Sequence, residues 1–150
     1  MATDRSHEAR NDAERARLAR HTQLSEAQLS VDLGGGWTAA TALAHTAFWD
    51  RFAQERVRLW LKSGEPLPLT QPLVDALNDG LLPQWRALSP KAAAQEAVAA
   101  AEAVDREIAA LSDDALERYS AAVKRGQTPF VIDRTAHRRE HSDQIEQALR

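Results

Sequence analysis

The 150 residues carry 19 Lys and Arg, 22 Asp and Glu, five His and no Cys, for a formal net charge of −3. The missing cysteines exclude disulfides, thiolate-held zinc and a cysteine nucleophile, and the mildly acidic balance argues against a generic nucleic-acid or anionic-membrane binder. A single domain, residues 1–150, is the simplest partition and is long enough for a real core.

Alanine dominates, Val and Ile together number only ten, and the mix predicts an all-α chain. The polar start Met1-Ala2-Thr3-Asp4-Arg5 has no apolar signal core. No apolar run reaches the length of a membrane span, so a cytoplasmic protein is expected. The first helix is expected from about Asp4 to Gln23. Arg10, Arg15, Arg17 and Arg20 alternate there with Glu8, Asp12 and Glu14 as a solvated face. Ala9, Ala13, Ala16 and Leu18 are its small or apolar positions, and His7 and His21 are expected at the surface. Ser25 and Gln28 form a capping box for a short helical turn. Gly34-Gly35-Gly36 then breaks the chain as a connector with no strand before it.

The second long helix starts with Thr38 as N-cap and runs to about Ser63. Trp37, Thr41, Ala44, Phe48, Phe52 and Leu59 mark its inner stripe, with His45 at the edge. Gly64, Pro66 and Pro68 end it. Pro72 opens a stretch to Leu88 that Gly80 and Pro83 are expected to bend. Ser89-Pro90 starts a helix to about Leu111, with Ala97, Ala101, Val104, Ile108 and Leu111 as its seam. The stretch Leu111–Leu116 echoes Leu24–Leu29, which either a duplicated hairpin or shared helix-end chemistry would explain. After Gly126 and Pro129, Asp133 or Thr135 caps a last helix to Arg150. On it His137, His141, Ile145 and Ala148 share an inward face, while Arg138, Arg139, Asp143 and Glu146 fall elsewhere.

Residues four apart on a helix are neighbours on one face, so His137 and His141 can reach one ion, and His45 is the third inward imidazole. Three imidazoles suit zinc, nickel, iron or cobalt and leave positions open for water or substrate. Hydrogen-bonded core histidines are the competing explanation at this point. His137-Arg138-Arg139-Glu140-His141 also fits the His-x-x-Glu-His string of one metalloprotease class. With nine residues after His141, the sequence has no room for that class's downstream acidic ligand. Asp50, five residues after His45, is a candidate general base or outer-sphere carboxylate, whereas Glu140 reads as a surface charge. Trp49, one turn beyond His45, and its neighbour Phe48 are expected to line the pocket.

Gly36-Trp37-Thr38, Leu43-Ala44-His45-x-x-Phe48-Trp49-Asp50, Val74-Asp75-Ala76-Leu77-Asn78 and His137-x-x-x-His141 with Gln144-Ile145 together resemble the DinB/YfiT-like superfamily. The likeness runs from about Leu24 onward. It implies a four-helix bundle with short extra helices in the connections, often a homodimer. It also implies a metal held by His45, His137 and His141, nickel or zinc first, with iron, manganese or cobalt as alternatives. Relatives include transferases that use low-molecular-weight thiols such as bacillithiol, mycothiol or glutathione. Two functions follow as expectations. One is an enzyme whose ion activates water or a thiol against a small electrophile, as a thiol S-transferase or hydrolase. The other is a non-catalytic metal- or ligand-binding bundle or interaction protein.

Overall fold

Helix-capping residues set most of the element boundaries. A computed structural model describes residues 3–150 as helices α1 (Ser6–His21), α2 (Glu26–Leu29), α3 (Ala39–Ser63), α4 (Gln71–Ala87), α5 (Pro90–Ala109), α6 (Asp113–Lys124) and α7 (Thr135–Ala148), with strands β1 (Asp32–Gly34) and β2 (Trp37–Thr38). Thr38, Thr70, Ser89 and Ser112 each accept a hydrogen bond from the amide three residues on, which satisfies a donor orphaned in the first turn. The Ser25–Gln28 capping box closes in both directions. Ser25 and Ser112 thus do the same work, and shared helix-end chemistry suffices for the repeated Leu-Ser pattern.

Four helices make the bundle: α3 and α1 each lie against both α5 and α7, while α4 packs on α3. Ala93, Ala94, Ala97, Ala100 and Ala101 of α5 are buried against the Ala- and Leu-rich first half of α3, and small side chains allow close helix approach. The remaining helices occupy the connections. The glycine triplet differs from expectation, because β1 runs into its first residue and pairs antiparallel with β2. Gly34, Gly35 and Gly36 have φ of 95°, 62° and 80°, backbone that L side chains rarely adopt. This tight turn delivers Trp37 and the Thr38 cap to the start of α3. Among the described residues no helix is long and apolar enough to cross a membrane.

The core is divided. One apolar cluster gathers Leu18, Leu43, Ala97 and Ile145; the other gathers Val57, Trp60, Val104, Ile108 and Phe130. Between them, by helix register, lies an ionic layer with residues from all four bundle helices. Arg138 of α7 is fully buried; its Nε donates to Asp50 Oδ2 (3.0 Å), and Nη1 and Nη2 donate to Asp105 (3.0 and 2.8 Å). Nη1 also meets the Asn11 carbonyl at 3.2 Å, and Arg15 donates to Asp105 at 2.7 Å. Arg138 therefore overturns the expectation that it falls off the inward face. Thr135, Arg138, Ser142 and Ile145 form the buried stripe of α7, and His137 and His141 flank it half-buried.

Helix α1 departs similarly. His7, Asn11, Glu14, Leu18 and His21 are its buried stripe, at bundle spacing but mostly polar, while Ala9, Ala13 and Ala16 are exposed. His21 Nε2 meets Ser142 Oγ at 3.1 Å inside the bundle, so neither His7 nor His21 is a surface residue. The supposedly solvated face docks on other elements: Arg17 pairs with Glu146 and Asp143, and Arg10 with Asp133. Leu59 of the expected α3 stripe is exposed, and Ala53, Val57 and Trp60 take its place.

Candidate metal centre

The structure brings His45, His137 and His141 together. His137 Nε2 lies 2.9 Å from His45 Nε2 and 3.2 Å from His141 Nε2, and all three ligand atoms fall within 4.8 Å of one another. Nitrogens bound to one ion at about 2.0–2.1 Å are roughly 2.9–3.4 Å apart for angles between square and tetrahedral. Both observed edges match.

Mutual hydrogen bonding does not satisfy these rings. Nδ1 of His45 and of His137 is buried without a partner, and each neutral imidazole has one N–H to place. If Nδ1 carries it, the Nε2 lone pairs confront each other; if Nε2 carries it, buried Nδ1 acceptors are left bare. A cation among the three Nε2 atoms resolves the first arrangement. His141 is already set for it, since Nδ1 donates to Gln144 Oε1 at 3.0 Å and leaves Nε2 as the lone pair. His45 is oriented by packing instead: Trp37 and Trp85 meet its ring edge-to-face at 5.1 and 4.9 Å.

Burial holds His45 and His137 neutral, each with its pKa lowered to about 3. Neighbouring positive charge adds to this, from His137 and His141 at His45, and from His141, Arg134 and Arg138 at His137. Burial also lowers His7 and His21. Unfolded histidines bind protons from near pH 6.5, so the unfolded chain holds more protons below that value. The metal-free protein should therefore lose stability as pH falls from about 6.5 towards 3. Urea midpoints at pH 7 and pH 5 check this, and a midpoint that is equal or higher at pH 5 contradicts it.

The triad opens on a cleft of about 800 Å³ whose walls include Trp37, Trp49, Phe52, Leu69 and Val74. Trp49 is fixed by Nε1 donating to Asn78 Oδ1 at 2.9 Å. Phe48 is not part of the lining. It packs at the margin of the stripe that carries 45, 49 and 52, against Trp49, Phe52 and Trp85. Asp50 is fully buried, with Oδ1 taken by Arg134 at 2.9 Å and Oδ2 by Arg138 at 3.0 Å. Glu140 is exposed, as expected, and lines the cleft. Gln144 could have been found from its i,i+3 spacing to His141.

The fold and site define a class: a histidine-triad four-helix bundle able to hold a metal ion beside an aromatic cleft. The chain belongs to the DinB superfamily, whose family profile matches residues 10–138. The match takes in His45 and His137 and stops short of His141. Neither the curated proteins nor the solved structures give a significant match.

Proposed function

We propose that this protein is a metal-dependent enzyme using His45, His137 and His141 to hold a divalent ion, nickel or zinc, beside a small-molecule cleft. The convergence of three Nε2 atoms on an aromatic cleft of about 800 Å³ supports this reading best, since that volume suits a small molecule. Bound there, such an ion lowers the pKa of a water or a low-molecular-weight thiol and yields a nucleophile near neutral pH. The chain's own groups supply the rest. Trp37, Trp49 and Phe52 hold the apolar part of an electrophile and exclude water. Glu140, exposed at the cleft beside His141, is available to accept a proton. Asp50 has both oxygens committed to arginines and serves to position them. A homodimeric, cytoplasmic setting completes the proposal.

The test is a conjugation assay on zinc- or nickel-loaded protein, offering bacillithiol, mycothiol and glutathione with a chromogenic aryl halide, beside an ester hydrolysis assay. Metal-dependent turnover that disappears in His45→Ala is the expected result. Stoichiometric metal with no turnover in either assay would favour the non-catalytic ligand-binding bundle.

A further inference from the structure

Arg56 is 7% exposed and forms no ion pair among the described residues. Its Nη2 donates to the Thr128 carbonyl at 2.7 Å, and its Nε is buried with no partner among the described residues. Its neighbours contrast with it. Arg134 is neutralised by Asp50, Arg138 by Asp50 and Asp105, and the nearby carboxylate Asp133 is engaged by Arg10. A buried guanidinium without a counter-charge is unfavourable by itself. Such a group becomes favourable once an anion reaches it in apolar surroundings.

Arg56 also stands where a ligand can reach it, on the wall of the cleft that holds the triad. His45, Trp49, Phe52 and Arg56 are spaced four, three and four along α3, so they form one stripe of that wall. The eleven steps from His45 to Arg56 rise about 16 Å along the helix. The cleft is therefore elongated: imidazoles at one end, an aromatic floor between, and an uncompensated cation at the other. Leu69 and Val131 flank the cationic end.

We propose that Arg56 is an anion-binding residue that takes the carboxylate of an elongated small molecule whose other end lies at the histidines. The location of the reactive end rests on the metal-centre reading; the anion site does not. Arg56 offers a single uncompensated positive charge, and the carboxylates Asp133 and Glu140 also line the cleft, which matches a monoanion better than a phosphate dianion. Burial, and next the charge of Arg134, lower the Arg56 pKa, which is the strain an incoming carboxylate relieves.

The experiment uses metal-free protein, so that no carboxylate can bind through an ion. Two probes of one shape, 4-phenylbutyrate and its uncharged primary amide, are titrated against tryptophan fluorescence, with calorimetry as the second readout. The wild type should bind the carboxylate about tenfold or more tightly than the amide. Arg56→Gln should remove that preference while leaving amide binding in place, and Arg56→Lys should keep part of it. Equal binding of the two probes by the wild type overturns the proposal without any variant. So does a preference that survives Arg56→Gln. The result is independent of whether the histidines bind metal or support turnover.

Discussion

Replacing His137 with alanine should abolish metal binding while leaving the bundle folded. His137 is the central imidazole of the triad, with Nε2 at 2.9 Å from one partner nitrogen and 3.2 Å from the other. Without it, His45 of α3 and His141 of α7 remain as ligands from different helices, and two imidazoles hold a divalent ion far less firmly than three. Elemental analysis of dialysed protein should give about one ion per chain for the wild type and less than about a tenth of that for His137→Ala. The fold should survive because His137 is only half-buried and the α7 core contacts lie with Arg138, Ser142 and Ile145. Removing an imidazole whose Nδ1 is buried without a partner also removes an unfavourable term. Thermal melts give a second readout. Zinc at 100 times its dissociation constant should stabilise the wild type by about 2.7 kcal/mol and leave the variant's melting temperature unchanged. Wild-type protein with no bound ion, or a variant that keeps its zinc response, would rule out the triad as the metal site.

The parts of this architecture legible in the sequence are those written in local chemistry. Thr38, Ser89 and the Ser25–Gln28 box start helices as their capping chemistry requires, and Gly64 ends α3 with a φ of 73°. The alanine seam of α5 follows bundle spacing and is buried throughout. The triad was legible because only one other histidine lies on an expected inward face and four-residue spacing is geometric. The polar interior was illegible for a physical reason. Hydrophobic periodicity finds inner faces only where they are apolar, and α1 and α7 turn Asn11, Glu14, His21, Arg138 and Ser142 inward. These are tolerated because their partners come from helices distant in sequence: Arg138 meets Asp50, 88 positions away, and His21 meets Ser142, 121 positions away. No local window contains that pairing. The same blindness placed the histidines on the core stripe of α7, when they flank it and face the cleft.

Substituting Arg138 should have the largest effect on stability of any change in the ionic layer. Removing one partner of a buried ion pair costs about 3–5 kcal/mol, because the other charge is left uncompensated. Arg138→Met keeps much of the side-chain volume but takes three hydrogen bonds from Asp50 and Asp105 and one from the Asn11 carbonyl. Arg134 still faces Asp50 and Arg15 still faces Asp105, so the lower part of that range, about 3 kcal/mol, is expected. Against the roughly 5–15 kcal/mol of a typical domain, this is a large fraction. Urea unfolding measures it, and a loss below about 1 kcal/mol would mean the layer contributes little. A double-mutant cycle separates the pair from its surroundings. Asp105→Asn added to Arg138→Met should cost less than the sum of the two single changes, because the second removes a charge that the first has left with Arg15 alone. The same substitution should reach the metal centre. Arg138 adjoins His137 in sequence and fixes α7 against α3, the helix that carries His45. Metal affinity should fall about 10–100-fold, as when a residue that orients a ligand is lost. Unchanged metal affinity in a destabilised Arg138→Met protein would show that the histidines hold their positions without the ionic layer beneath them.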